Sequence, residues 1–253
     1  MRKRGQVTIF IIIAIIIIVI GVLIYLFLPQ IKSWISPESK NPSAFLQNCL
    51  EDEIENTVET ISLQGGSMEP ELFYPYQDNK IEYLCYTNEA YRTCVVQQPM
   101  LKNHIESEIK VEISEEVDTC LGDLKNSFEN DGYKVDIEDG DVVVEILPER
   151  IVTTLTHKLT LTRGETRRYD SFKISLNSNL YNLISIARSI IDWEAAYGDV
   201  ETTTYMDYYH DLKVEKLNQM EGSTVYILTN RDTGEKFQFA SRSVAWPPGY
   251  GLE

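Results

Sequence analysis

Apolar residues recur three and four positions apart in three long stretches of the chain. The stretches run from about Pro42 to Leu63, from Leu101 to about Phe128, and over residues 178–196. This spacing places the apolar side chains on one face of a helix, with polar side chains on the other. The sequence therefore predicts three amphipathic helices.

From Tyr133 onward the apolar period changes to two, which is typical of strands with one buried face. The runs "YKVDI" and "VVVEI" flank Asp139-Gly140, and this dipeptide predicts a hairpin turn. Residues 150–163 alternate in the same way and place these side chains on one face: Ile151, Thr153, Leu155, His157, Leu159 and Leu161. With further strands after the third helix, the pattern predicts an α+β fold, in which a twisted antiparallel sheet is packed by long amphipathic helices.

The chain opens with a different pattern, a run of 22 uncharged residues from Val7 to Leu28. This length suits a transmembrane helix, and Arg2, Lys3 and Arg4 before it favour a cytoplasmic N-terminus. We therefore expect a single-pass protein of the cell membrane whose C-terminal domain is extracytoplasmic. The predicted divisions are a basic cytoplasmic segment (1–6), the transmembrane helix (7–28), a juxtamembrane linker (29–43), an exported domain (44–245) and a loose tail (246–253).

The residues "KRGQVTIF" and the apolar run after them resemble the class III signal of archaeal type IV pilin-like proteins. The resemblance implies cleavage between Gly5 and Gln6, with the helix kept on the mature chain. The chain departs from that pattern at Phe10, where such proteins usually carry a glutamate. An uncleaved signal anchor and a filament helix both remain open for this segment.

A second resemblance covers the segments "CLEDEIENTVETISLQGG" and "KFQFA". They are similar to segments in a group of uncharacterised archaeal membrane-anchored surface proteins. The resemblance implies the same architecture and a location at the cell surface, and it implies no activity.

Charge is distributed unevenly along the chain. All 39 acidic residues lie after residue 30, together with 20 of the 23 Lys and Arg, so the predicted exported part carries a net charge of −19. A surface of this sign repels nucleic acid and anionic lipid. We therefore expect no nucleic-acid partner.

Four cysteines lie in the predicted exported part, where an even number favours disulfides. Cys85 and Cys94 flank a short predicted hairpin and form the expected local pair. Cys49 and Cys120 then remain, each on a predicted helix near its apolar face. Zinc is the competing interpretation, but no two cysteines have the C-x₂₋₄-C spacing of a zinc site.

Candidate chemistry is sparse, because no nucleophile motif or phosphate-binding glycine loop occurs. Of the three histidines, we expect His104 to be exposed at the start of the second helix and His157 to lie in the core. His210 belongs to a tyrosine-rich loop, and a possible contact surface is predicted for these residues: Tyr205, Tyr208, Tyr209 and His210. We therefore predict no enzymatic activity, no cofactor and no metal.

These observations predict a non-enzymatic cell-surface protein that displays an acidic extracytoplasmic domain, as a pilin-like subunit or an envelope or adhesion component. The alternative is an anchored binding module for a small solute or cation that serves a membrane partner. The expected partners are the lipid bilayer through residues 7–28, and further copies of the chain or other surface proteins.

Overall fold

The computed structural model describes residues 41–245, and these contain four helices. Their bounds are α1 Pro42–Leu63, α2 Leu101–Asn130, α3 Leu180–Tyr197 and α4 Thr203–Tyr208. The three predicted helices are confirmed. The short helix α4 lies in the segment predicted as a tyrosine-rich loop.

Each long helix buries one stripe of apolar side chains. In α1 the stripe is Leu46, Leu50, Ile54, Val58 and Ile61, and α2 opens with Leu101, Ile105, Ile109, Ile113 and Val117. The steps of three and four residues keep these side chains on one face, where they join the main core. The periodicity of the sequence therefore fixes which face of each helix is buried.

Residues 41–245 also contain twelve strands. Their bounds are β1 Phe73–Tyr76, β2 Asn79–Tyr86, β3 Val95–Val96, β4 Lys134–Glu138, β5 Val142–Leu147, β6 Arg150–Leu155, β7 Lys158–Arg163, β8 Glu165–Tyr169, β9 Phe172–Asn177, β10 Leu212–Asn218, β11 Ser223–Asn230 and β12 Lys236–Arg242.

The largest sheet is mixed rather than antiparallel. Its strands lie in the order β1-β2-β12-β11-β10, with β3 paired to β2. Strand β12 runs parallel to β2, with a register shift between Ala240 and Ser241. The two strands can run parallel because the long chain between them contains α2 and α3, which return it to the same end of the sheet.

The other six strands form a bent three-stranded meander. Strands β4, β7 and β8 make one sheet and β5, β6 and β9 make another, and three chain segments pass from one sheet to the other. The hairpin predicted at Asp139-Gly140 is therefore wrong. The turn lies at Pro148-Glu149, where Glu149 has a φ of 65°.

Gly140 explains why the Asp139-Gly140 pair does not form a turn. A Cβ atom built on Gly140 would lie 2.3 Å from the backbone nitrogen of His157. The glycine is needed for the close approach of two strands where the meander bends, rather than for a hairpin. The dipeptide Asp139-Gly140 is compatible with a hairpin turn and with a close approach of two strands, and long-range strand pairing decides between the two structures.

The predicted fold class requires two corrections. The single antiparallel sheet is wrong, because the described residues form one mixed sheet and a bent meander, with the helices contacting both. The predicted transmembrane helix also lacks support: among residues 41–245, none of the helices is long and apolar enough to cross a membrane. Residues 7–28 themselves lie outside the described residues, as do the predicted processing site at Gly5 and Gln6 and the tail at 246–253.

Candidate functional site

The predicted contact surface lies on and just after the short helix α4. Tyr208 and Tyr209 are exposed, and their rings meet edge to face with centroids 4.8 Å apart. Tyr205 is half-buried, and its hydroxyl lies 2.7 Å from the hydroxyl of Ser189 on α3. Helix α4 is therefore tied to α3 through Tyr205, and its last residue, Tyr208, and the following Tyr209 are presented to solvent.

A cleft of 240 Å³ lies beneath this segment. Tyr205 and Tyr209 line it together with Ser185 and Ser189 of α3 and Asn230 of β11. Tyr208 does not line the cleft. The tyrosine segment therefore covers a groove on α3 instead of standing alone as a solvated loop.

A second, wider cleft continues along α3 and shares Ser185 and Ser189 with the first. It ends at Trp193 and Tyr197, whose rings lie 4.8 Å apart and are about half exposed. These two residues are four positions apart and so lie on the same side of the helix. We call the combined surface the aromatic face, and it consists of Trp193, Tyr197, Tyr205, Tyr208 and Tyr209.

His210 takes no part in a catalytic arrangement within the described residues. Its side chain is exposed, and its backbone carbonyl accepts a hydrogen bond from Arg231 at 3.5 Å. The neighbouring Asp211 carboxylate accepts instead from the side-chain amide of Asn230, at 3.3 Å. The side chains of His210 and Asp211, although adjacent in sequence, therefore do not form a pair.

The four cysteines pair as the sequence predicted. Cys49 of α1 is bonded to Cys120 of α2, and Cys85 is bonded to Cys94 across the short β2–β3 pair. Among the described residues, only Cys49, Glu116 and Cys120 bring three potential metal ligands together. The sulfur atoms of Cys49 and Cys120 are bonded to each other in the disulfide, so neither is a free thiolate that could bind a metal.

A polar cluster that the sequence did not predict lies on the side of α2 that faces β2. The Ser67 hydroxyl donates a hydrogen bond to Oε2 of Glu82 at 2.6 Å, and its oxygen lies 2.8 Å from Nε2 of His104. The side-chain amide of Gln98 donates to Oε1 of Glu82 at 3.2 Å. These residues line a cleft of 340 Å³, here called the Ser67 cleft, with Glu69, Glu71, Leu72, Tyr83, Gln97 and Glu108.

Two glycines at the end of α1 bring Ser67 to this position. Gly65 and Gly66 have φ angles of 91° and 119°, a backbone conformation that residues other than glycine rarely adopt. A Cβ on Gly65 would also lie 2.9 Å from Cβ of Glu82. The turn therefore needs glycine both for its backbone conformation and for its contact with β2.

Helix α2 holds the same loop from the other side. His104 and Glu108 are one helical turn apart, and the Glu108 carboxylate accepts a hydrogen bond from the backbone N–H of Met68 at 3.0 Å. His104 was expected to be exposed, but it is only partly so, because its ring packs over the Ser67 loop. The expectation failed because the loop that covers this turn of α2 is distant in sequence.

Burial sets the electrostatics of the cluster. Ser67 and Glu82 are each 7 % exposed. Burial raises the pKa of the Glu82 carboxyl, and the hydrogen bonds from Ser67 and Gln98 oppose this effect. Glu82 is therefore a better proton acceptor than an exposed glutamate when it is ionised.

No motif in the sequence pointed to this cluster. Ser67 lies 15 positions from Glu82 and 37 positions from His104, and the three residues belong to a loop, a strand and a helix. The available signal was the "QGGS" turn directly after an amphipathic helix, which marks a sharp change of direction before a polar side chain.

Comparisons with known proteins add no relatives to this description. No protein-family model, curated protein or solved structure matches the chain.

Proposed function

We propose that residues 41–245 form an interaction domain that works outside the cytoplasm and binds a protein partner through the aromatic face. The observation that carries the proposal is the continuity of this face, where two clefts share Ser185 and Ser189, four aromatic residues border them, and the exposed Tyr208 packs against Tyr209 beside them. Rigid aromatic side chains give large contact areas at a low entropic cost and dominate many protein interfaces.

The two disulfides support the location. All four cysteines of the chain are paired, and such bonds persist in oxidising compartments outside the cytoplasm. The net charge of the chain, −16, favours solubility and opposes nonspecific binding to anionic surfaces.

The chemistry of the face indicates the kind of partner. The clefts are grooves that run along α3, and serine and asparagine side chains between the aromatic rings can bind a main chain. Asp192 and Arg188 of α3 pair with each other at 3.1 Å and leave no net charge there. We infer that the partner presents an extended segment that is neutral or basic, since the acidic domain would repel an acidic one.

Site-specific photocrosslinking in the native host tests the proposal. A benzophenone amino acid at position 197 or 208 should capture one discrete partner. The same group at Met220, which is 98 % exposed in the β10–β11 turn, provides the control. Equal capture at position 220, or none at 197 and 208, would contradict the proposal.

The captured partner then allows a quantitative test with purified proteins. Trp193→Ala and Tyr208→Ala should each weaken binding by about tenfold or more, as expected for aromatic hot spots, whereas Met220→Ala should not. Unchanged affinity in both aromatic variants would exclude the aromatic face as the binding site.

A further inference from the structure

The Ser67 cleft contains a hydroxyl, a carboxylate and an imidazole in direct contact, and none of them belongs to the aromatic face. The Ser67 oxygen lies 2.6 Å from Glu82 Oε2 and 2.8 Å from His104 Nε2. Both distances are within the range at which a general base can accept a proton from a nucleophile.

The surrounding hydrogen bonds decide where the serine proton can go. A serine hydroxyl has one hydrogen, and here it is directed at Glu82 Oε2. Gln98 occupies the other oxygen of that carboxylate. His104 Nε2 contacts the serine oxygen from a second direction and so fixes its position.

The same serine is accessible to a small molecule. Although Ser67 is mostly buried, it lines the cleft, as do Glu82 and His104. The volume of 340 Å³ lies within the range of small-molecule sites.

We propose that Ser67 is the nucleophile of an acyl-transfer site, with Glu82 as its general base and His104 as a positioning residue. The serine oxygen bonds to the acyl carbon while its proton passes to Glu82 Oε2. The bond from that carbon to the leaving group then breaks, and the leaving group takes the proton from Glu82. Water attacks the acyl-serine and gives a proton to Glu82, which returns it to the serine oxygen as the acyl bond to Ser67 breaks.

The lining of the cleft indicates the class of substrate. Glu69, Glu71 and Glu108 line the cleft in addition to the base, and no lysine or arginine lines it. An acyl ester or amide that carries a positive charge would therefore be concentrated there, and an anionic one would be repelled.

Labelling with sulfonyl fluorides tests the site without knowledge of its natural substrate. The serine oxygen would displace fluoride from sulfur and lose its proton to Glu82. We expect one adduct per chain, located on Ser67 by peptide mapping.

The charge of the cleft is tested by comparing two reagents. The cationic 4-(2-aminoethyl)benzenesulfonyl fluoride should react faster than neutral phenylmethanesulfonyl fluoride, and the double variant Glu69→Gln, Glu71→Gln should reduce that preference about tenfold. Absence of an adduct on Ser67 in the native protein would overturn the proposal.

Variants separate the roles of the two neighbours. Glu82→Gln keeps the size and hydrogen-bonding capacity of the side chain, and it should slow labelling about 100-fold, in the range of a lost general base. His104→Gln should slow labelling about tenfold and move the midpoint of the pH–rate profile, set by Glu82, upward, because the interaction with His104 lowers the pKa of Glu82. Ser171→Ala, which alters an exposed serine between β8 and β9, should label at the native rate. An unchanged rate in Glu82→Gln, with both disulfides intact, would exclude Glu82 as the base.

Discussion

The hydroxyl of Tyr226 on β11 donates a hydrogen bond to Oε1 of Glu194 on α3, and both side chains are buried in the core. Burial raises the pKa of Glu194 to about 7, and the negative charge of nearby Asp199 adds to the shift. The hydrogen bond from Tyr226 and the charge of Lys216 oppose it. Glu194 is therefore a buried carboxyl whose protonation changes near neutral pH.

This shift predicts a decrease in stability as the pH rises. The folded protein holds the Glu194 proton up to about pH 7, whereas the unfolded chain releases it near its ordinary pKa of 4.5. The stabilisation of the folded state by this proton is therefore complete below about pH 4.5 and is lost as the pH rises through about 7. The free energy of unfolding changes by about 3 kcal/mol over this range. Glu194→Gln should remove it, so the variant should be the more stable protein above pH 7.

Urea unfolding at several pH values measures this effect. Glu82 has a shift in the same direction, so the difference between the native protein and Glu194→Gln isolates Glu194. Glu112→Gln, on the exposed face of α2, is the matched control and should leave the pH dependence unchanged. Parallel pH profiles for the native protein and Glu194→Gln would refute the assignment.

The two disulfides should differ in their contribution to the free energy of unfolding. The Cys49–Cys120 bond joins residues 71 positions apart, and the Cys85–Cys94 bond joins residues nine apart. Chain entropy predicts losses of about 4 and about 3 kcal/mol when each pair is replaced by alanine. Denaturant unfolding of the two double variants compares them, and a larger loss for Cys85–Cys94 would contradict this ordering.

Gly140 and Gly122 form a matched pair of substitutions. Gly140→Ala should destabilise the protein by about 3 kcal/mol or more, because the new methyl group would meet the His157 backbone at 2.3 Å. Gly122→Ala, within α2, has no atom within 4 Å of the added Cβ and should stabilise by about 0.5–1 kcal/mol. Thermal unfolding should give shifts of opposite sign, and a neutral Gly140→Ala would rule out the close strand approach.

The hydroxyls of the aromatic face should also differ in importance. Tyr205→Phe removes the contact with Ser189 and should cost about 1 kcal/mol of stability. Tyr208→Phe removes a hydroxyl from a side chain that is 77 % exposed and should change stability little. The same denaturant titration measures both, and equal effects would mean that the Tyr205 hydroxyl does not secure α4 to α3.

Local patterns in the sequence predicted much of the fold. The helix from Pro42 to Leu63 has the predicted bounds, because proline fits the first turn and the apolar steps continue to the last. The disulfide partners also followed from local placement, since Cys49 and Cys120 lie on helix faces that turn inward. In these cases, neighbouring residues carry the necessary information.

Long-range pairing decided the rest. Asp139-Gly140 has the composition of a tight turn, but the same two chain segments pair on both sides of it, Glu138 with Lys158 before it and Val142 with Leu155 after it, with a register shift of one residue. The parallel pairing of β2 with β12 and the meeting of Ser67 with His104 likewise join distant parts of the chain. The spacing of residues along one segment cannot encode which remote segment will lie beside it.

The Cys49–Cys120 bond also has a mechanical consequence. A pulling force applied to the chain ahead of α1 could unwind only residues 42–48 before it reached Cys49. The covalent bond would then pass the load directly to α2 at the buried Cys120, and the rest of α1 would be shielded. The domain is thus built to carry tension from its N-terminal side without unravelling from that end.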